Sequence, residues 1–159
     1  MKCFIELKIN PDAEMRENVL LNKVITKLHK ALCDLKSTDI GVSFPQVGKK
    51  LGQVVRLHGA QEKLQELQNL NWLGGLSGYC HISEIRQIPD KVQYRNVSRV
   101  QSKMTPAKLR RLIKRGSISD EEVKAYKVKM FSQRLDYPYL ELKSGSNNHL
   151  HRRYIKHGS

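Results

Sequence analysis

Five basic residues fall within eight positions of the segment SKMTPAKLRRLIKRGSISDEE, residues 102–122. They are Lys108, Arg110, Arg111, Lys114 and Arg115. No acidic residue lies between Lys103 and Asp120, so pairing with opposite charges along a helix cannot neutralise them. A cluster of this kind can bind the phosphates of a polyanion. A solvated helix face and a membrane-surface helix are the alternative interpretations.

Six histidines could supply acid–base chemistry: His29, His58, His81, His149, His151 and His157. RNA can be cut without a metal, because its own 2′-OH can attack the neighbouring phosphate. Such a site needs a base for the hydroxyl proton and donors for the developing charge. Histidine, with an unperturbed pKa of about 6.5, suits the first task. On its pattern alone, His29 is an ordinary residue at the border of an apolar helix face.

Metal-assisted chemistry is disfavoured by the acidic residues and the cysteines. A two-metal nuclease needs clustered carboxylates, and the three acids at 120–122 are explained by a helix amino terminus. No C-x-x-C pair occurs, and Cys3, Cys33 and Cys80 are predicted to be reduced, buried thiols. His149 and His151 could bind a metal on a strand, but no third ligand accompanies them. We expect no metal and no other cofactor.

The excess positive charge lies almost entirely in the second half of the chain. The net charge is +14; residues 1–90 hold 12 Lys+Arg and 10 Asp+Glu, whereas residues 91–159 hold 17 and 5. This charge favours nucleic acid, an anionic membrane or an acidic protein as partner. No apolar run approaches the roughly 20 residues of a membrane span, and the amino terminus lacks a signal-peptide pattern. We therefore expect a soluble, cytoplasmic protein that does not bind membranes.

Apolar periodicity predicts six elements in residues 1–90. The predicted strands span 3–9, 40–45, 53–59 and 79–88, and the predicted helices span 15–35 and 60–70. The residues predicted to face inward from the helices are Leu21, Val24, Ile25, Leu28, Leu32, Leu35, Leu64, Leu67 and Leu70. The order β-α-β-β-α-β is typical of a ferredoxin-like α+β domain. The third strand offers no stacking rings, unlike that of an RNA-recognition motif.

Residues 91–159 are predicted to form a smaller, basic α/β region. Its predicted elements are strands at 92–101, 139–143 and 150–158 and helices at 106–115 and 120–134. Thr105, Pro106 and Gly116 delimit the first helix as N-cap, first residue and C′ residue. On that helix Leu109, Leu112 and Ile113 occupy an arc of about 100°, and the five cations fill about 160° opposite. Ser119 and Glu122 form a capping box for the next helix.

Six segments, in order, resemble the CRISPR repeat-processing endoribonucleases of the I-F subtype. They are KLHKAL (27–32), IGVSFP (40–45), YRNVSRVQSK (94–103), PAKLRRLIKRG (106–116), LKSGS (142–146) and YIKHG (154–158). Each is short, but the set spans nearly the whole chain at about the family's spacing. The resemblance implies a ferredoxin-like domain over residues 1–90 and an RNA-binding region over 91–159 with an arginine-rich helix.

The resemblance also implies an activity. Members of this family bind the stem-loop of precursor CRISPR RNA and cut once at the 3′ base of the stem, without metal, leaving a cyclic phosphate. They then stay on the product, together with other subunits of a surveillance complex. His29 matches the catalytic histidine, Ser144 the serine that positions the attacking ribose, and Ser146 a neighbouring active-site serine.

RNA-binding side chains follow from the same resemblance. Arg99 and Gln101 match residues that read bases at the foot of the stem, and bidentate contacts to guanine and adenine suit these side chains. The five cations of 108–115 match the helix that enters the major groove. His151 stands where the family often has an aromatic residue stacked on the basal pair.

Two features depart from the family's pattern. SGSNNHLH replaces the usual Ser-Thr-Gly run, and the printed sequence ends at KHGS, where the family normally continues to a closing strand. We therefore expect that closing strand to be missing. Three interpretations remain: a metal-independent endoribonuclease, a non-catalytic subunit that binds an RNA hairpin, and a generic DNA-binding domain.

Overall fold

The computed structural model describes residues 1–100, 104–133, 137–144 and 146–158. The chain has an α+β fold with antiparallel sheets, as predicted. In the first half, the strands are β1 (Cys3–Ile9), β2 (Gly41–Ser43), β3 (Val54–Gly59), β4 (Cys80–Ile82) and β5 (Arg86–Gln87). The helices there are α1 (Glu17–Asp34) and α2 (Gln61–Asn69), and a short 3-10 helix spans Gly74–Tyr79.

The first sheet has the strand order β2-β3-β1-β4, and β5 also pairs with β1. The strand predicted at 79–88 is divided in two. β4 places Ile82 opposite Leu7, whereas β5 places Arg86 opposite Phe4, so three residues, 83–85, lie opposite two on β1. The extra residue is a bulge. Ser83 stabilises the bulge, because its hydroxyl accepts a hydrogen bond from the Glu6 N–H at 2.9 Å.

The main hydrophobic core lies where α1 and α2 cover this sheet. Alternate residues of β1, from Cys3 to Ile9, are buried against Leu20, Val24 and Leu64 of the helices. The inward faces predicted for the helices are confirmed, with Ile25, Leu32 and Leu35 packed at the border of the core. Leu70 is an exception: it is 45% exposed, because α2 ends one residue before it.

The three cysteines form no disulfide, but their predicted burial is only partly correct. Cys3 is buried on β1, Cys80 is half-buried on β4, and Cys33 is exposed. Cys33 lies four residues after His29 on α1, on the same exposed side of that helix. Apolar periodicity does not predict which side of α1 Cys33 occupies, because a cysteine can be either buried or exposed.

The second sheet consists of β6 (Val97–Val100), β7 (Tyr139–Lys143) and β8 (Leu150–His157) in the order β6-β8-β7, all antiparallel. It packs on α1. Leu140 is buried in the main core, and Leu142 and Ile155 contact that core's edge. The Glu141 N–H also donates a hydrogen bond to Asn22 Oδ1 on α1, at 3.0 Å. Helix α1 is therefore shared by both halves of the chain.

Helices α3 (Pro106–Lys114) and α4 (Asp120–Gln133) pack against each other, with Leu109 and Met130 buried. The predicted caps are confirmed. Thr105 Oγ1 accepts a hydrogen bond from the Lys108 N–H at 3.1 Å, and Gly116 has a φ of +68°. Ser119 and Glu122 are hydrogen-bonded at the start of α4. Ile113, predicted to face inward, is 50% exposed. None of the helices in the described ranges is long and apolar enough for a membrane span.

Candidate functional site

A cleft of about 230 Å³ lies between α1, the end of β2 and the second sheet. Most of its wall is apolar and is formed by Ile25, Leu28, Leu32, Val42, Phe44, Val97, Leu140 and Ile155. The polar lining comes from His29 on α1 and from Ser98 and Arg99 on β6. Polar groups surrounded by apolar walls interact more strongly with a bound charge than they do in open water.

Helix geometry places His29 at the mouth of this cleft. Leu28 is buried in the core, and the next residue points about 100° away around the helix. The imidazole is therefore held at the border between α1 and the second sheet and is exposed. Its Nε2 lies 3.8 Å from the Cys33 Sγ. Residue pattern predicted this border position, but the cleft itself depends on the docking of the second sheet.

Arg99 lies on the face of the second sheet that points toward α1, which we call the inner face. Arg99 pairs with Ile155, and Leu140 pairs with Arg153, so strand alternation puts Arg153 diagonally beside Arg99 on this face. Partial burial, and next the nearby Arg153 guanidinium, lower the pKa of Arg99. The Arg99 guanidinium, which lines the cleft with His29 and has the Arg153 guanidinium beside it, favours an anion there. Arg153 was not predicted, although alternation along HLHRRYIKH places it with His151 and His157.

Ser144 and Ser146 lie together at the end of β7. Their hydroxyl oxygens are 3.0 Å apart, and the Ser144 N–H donates to the His149 carbonyl at 2.9 Å. Asn148, with a φ of +57°, helps to close this turn. The two serines are not among the residues that line the cleft. They lie directly after β7, the strand that packs against α1.

His151 is exposed on β8 opposite Leu142, on the inner face near the serine turn. Gln101, the other residue predicted to contact RNA bases, lies outside the described residues. Across the described ranges, no group of three or more His, Cys, Asp or Glu side chains is close enough to hold a metal ion.

The five cations of α3 form a separate surface. All five are exposed, while Leu109 fixes the opposite side of the helix against α4. Within the described part of the chain, the ion pairs are Arg56–Glu6, Lys63–Glu66 and Arg152–Glu141, and none includes a residue of α3. The helix therefore presents its charge uncompensated to the solvent.

His157 links the two sheets and was not singled out by the sequence. Its Nε2 accepts a hydrogen bond from the Phe44 N–H at 3.3 Å, and its ring meets the Phe44 ring edge-on. Its buried Nδ1 has no partner among the described residues. Burial, and next the charge of Arg95, lower the pKa of His157. Burial and then Arg56 likewise lower the pKa of His58, whose Nε2 lies 2.8 Å from Ser43 Oγ.

The fold is expected to lose stability as the pH falls below about 6.5. Since His58 and His157 have lowered pKa values in the folded state, the unfolded chain takes up protons first, and this lowers the free energy of unfolding. The contribution is complete above the ordinary histidine pKa and is lost as the pH falls toward and through the folded-state pKa. Urea unfolding between about pH 7.5 and about pH 5.5 measures it.

A matched pair of variants tests whether His157 causes this loss of stability at low pH. His157→Gln should reduce the pH dependence of the urea midpoint, whereas His81→Gln, at an exposed position on β4, should leave it unchanged. An identical pH dependence in the wild type and His157→Gln would show that His157 does not contribute.

The fold and the charge define a basic α+β protein with a largely apolar cleft, which is built by both halves of the chain and also lined by His29 and Arg99. The family described as CRISPR-associated protein (Cas_Csy4) matches residues 4–159, and the chain belongs to this family. The family predicted from the six segments is thereby confirmed.

Two curated relatives agree with this assignment. The chain is 37% identical over 159 residues to the CRISPR-associated endonuclease Cas6/Csy4 of Escherichia coli (strain UTI89 / UPEC), a match that covers 99% of this chain and 86% of that protein. It is 34% identical over 162 residues to the protein of the same name from Pseudomonas aeruginosa (strain UCBPP-PA14), with 99% and 87% covered. These alignments extend across both sheets and all four helices described above.

Proposed function

We propose that this chain is an endoribonuclease that binds the stem-loop of precursor CRISPR RNA repeats and cuts at the 3′ base of the stem. The observation that carries the proposal is that His29 and Arg99 line one cleft in a member of this family. The names of the two relatives, CRISPR-associated endonuclease, support the same activity. We also assign residues 1–90 to a ferredoxin-like domain, on the order β2-β3-β1-β4, and residues 91–159 to an RNA-binding region.

In the proposed reaction His29 takes the proton from the 2′-OH of the nucleotide at the cut. The 2′-oxygen then bonds to the adjacent phosphorus, the bond from phosphorus to the 5′-oxygen breaks, and that oxygen takes up a proton from the solvent. The products are a 2′,3′-cyclic phosphate and a 5′-hydroxyl. The nucleophile belongs to the substrate, so the reaction requires no metal or cofactor. His29 thus acts as a general base. Arg99 and Arg153 stabilise the negative charge that develops on the phosphate in the transition state.

The serine turn has a positioning role in this proposal. Ser144 holds the ribose of the reacting nucleotide so that its 2′-OH points at the phosphate, and Ser146 holds Ser144 through the contact of 3.0 Å between their hydroxyl oxygens. Fixing a nucleophile in line with its target removes much of the entropic cost of the reaction. The turn that carries both serines directly follows β7, which packs on α1.

RNA recognition is assigned to two surfaces. Arg99 and Gln101 read bases at the foot of the stem, and His151 stacks on the basal base pair. The five cations of α3 contact the stem's phosphates from its major groove, which supports tight, salt-dependent binding. We infer that the protein stays on the processed RNA and meets other subunits of a CRISPR surveillance complex, in the cytoplasm.

Product formation tests the proposal directly. The purified chain is incubated with a repeat RNA from its own genomic locus, with and without EDTA, and the RNA is resolved on a denaturing gel. We expect one cut at the 3′ base of the stem in both conditions, and a cyclic phosphate on the upstream product. Loss of cutting in EDTA would contradict the mechanism. Tight hairpin binding without any product would favour the non-catalytic hairpin-binding subunit.

A competition experiment addresses the DNA-binding alternative. Because duplex DNA and an RNA hairpin share the phosphate contribution to affinity, both competitors are compared at one salt concentration. We expect the RNA hairpin to displace labelled hairpin at far lower concentrations than the DNA. Equal displacement by both would contradict specific hairpin recognition.

A further inference from the structure

The face of the second sheet that points away from α1 carries two tyrosines side by side. Strand alternation puts Tyr139, Glu141 and Lys143 of β7 on this outer face, next to Arg152, Tyr154 and Lys156 of β8. We call these six residues the outer tyrosine patch. Tyr139 lies directly opposite Tyr154, and Glu141 directly opposite Arg152. The patch and the inner face with Arg99 therefore occupy opposite sides of one sheet.

The aromatic part of the patch is held in a fixed geometry. The Tyr139 and Tyr154 rings are 5.5 Å apart between centroids and tilted by 54°. The guanidinium carbon of Arg152 lies 4.6 Å from the centre of the Tyr139 ring. The Arg152 Nε also donates to Glu141 Oε1 at 3.0 Å. Because Arg152 is both hydrogen-bonded to Glu141 and stacked on the Tyr139 ring, its side chain loses little further conformational entropy when a ligand binds.

This surface is accessible and has no assigned role. Tyr139 is 43% exposed, and Lys143, Arg152 and Lys156 are also exposed. Three cations face one carboxylate, so the patch retains a positive charge after Arg152 and Glu141 have paired. Planar rings, a guanidinium plane and uncompensated lysines are the combination by which proteins bind single-stranded nucleic acid, because bases stack on the planes and phosphates follow the cations.

The patch is connected along β7 to the serine turn. Lys143, on the outer face, is followed directly by Ser144, the proposed ribose-positioning residue, and Tyr139 lies four residues earlier on the same strand. At about 3.4 Å per residue, Tyr139 and Lys143 are about 14 Å apart, a distance that a few nucleotides of extended single strand can span. An RNA strand at Ser144 can thus reach the patch past Lys143.

We propose that the outer tyrosine patch binds unpaired RNA that continues past the foot of the bound hairpin, with a base stacked on Tyr139 and phosphates at Lys143 and Lys156. The inference rests on the proposed function, which places the foot of the hairpin near Ser144. Tyrosine and arginine are also enriched in protein interfaces. The excess of lysines and the direct connection to the serine turn favour RNA over a protein partner.

Binding of two RNAs to the full chain tests the inference. One probe is the repeat hairpin without flanking nucleotides, and the other is the same hairpin followed by eight unpaired nucleotides. Both carry a 2′-deoxy nucleotide at the cut, so that neither can be cleaved. We expect the wild type to bind the extended probe about tenfold more tightly than the bare hairpin. Tyr139→Ala should abolish this gain and leave the affinity for the bare hairpin unchanged.

Two further variants separate stacking from charge and from misfolding. Tyr139→Phe keeps the ring and should keep the gain, whereas Lys143→Gln should reduce the salt dependence of extended-probe binding by about one phosphate contact. Unchanged bare-hairpin binding by each variant shows that the variant is folded.

The alternative outcomes are distinct. An equal gain in the wild type and Tyr139→Ala, or no gain in the wild type, would overturn the proposal for the patch. Concentration-dependent dimerisation that Tyr139→Ala removes would also overturn it, by assigning the patch to a second copy of the chain. Failure of the bare hairpin to bind the wild type would instead overturn the proposed function.

Discussion

His29→Ala is expected to abolish most RNA cleavage while leaving hairpin binding intact. The imidazole lies at the mouth of the cleft, and no residue of α3 lines that cleft, so its removal takes away the proposed base without changing the phosphate-binding surface. Loss of a general base typically slows a reaction by about 10² to 10⁴. Single-turnover cleavage at saturating protein measures this rate, and a filter-binding titration with a 2′-deoxy hairpin measures affinity.

The matched control is His81→Ala, which removes another exposed histidine, from β4 outside the cleft. It should cleave at the wild-type rate. His29→Ala cleavage within about twofold of the wild-type rate would refute the role assigned to His29. If His29→Ala instead lost affinity and kept its rate on bound RNA, His29 would be a binding residue.

Replacing two cations of α3, as in Arg110→Gln with Arg111→Gln, is expected to weaken hairpin binding with little effect on the cleavage rate of bound RNA. Each phosphate contact adds about 0.9 to the slope of log affinity against log salt, so the slope should fall by about two and the affinity by about 30-fold at 0.15 M salt. Titrations at several salt concentrations provide both quantities. Leu109 and the Thr105 cap remain, so the helix itself should persist.

Lys124→Gln with Lys127→Gln provides a control of equal net charge, on the exposed side of α4. If α3 contacts the stem, this control should lose much less affinity than the α3 variant. Equal losses in both variants would mean that the positive charge acts only through the overall field, and α3 would not be the contact surface.

Local patterns predicted the helices well, because helix caps and apolar periodicity depend on neighbouring residues, whereas the strand predicted at 92–101 begins only at Val97. The α3 boundaries followed from Thr105, Pro106 and Gly116, whose capping chemistry is confined to one helical turn. The interruption between β4 and β5 could not be predicted, because the bulge depends on the Ser83–Glu6 hydrogen bond across 77 residues. Alternation continues through 79–88 and gives no sign of the register shift.

The sequence predicted which residue types form the candidate site, but not how these residues are arranged in space. The helical periodicity of α1 placed His29 at the border of its apolar face. The strands that face this border, β6 and β8, lie more than 60 residues further along the chain, so the pattern around His29 could not predict them. Arg153 and His157 could have been found by counting alternate residues along β8. Even then, the contact of His157 with Phe44 requires the two sheets to meet. The resemblance to a family provided roles for His29, Ser144 and Ser146 that no local pattern contains.

The sharing of α1 between the two sheets limits how this protein can be recombined. The buried side of α1 supports the first sheet, while its flank forms a cleft wall against β6, β7 and β8. A chimera joined at residue 90 would keep each half's own strands but mismatch the surface between them. A chimera of two relatives that keeps this site would have to take α1 and the second sheet from the same protein. These two parts are not contiguous in the sequence.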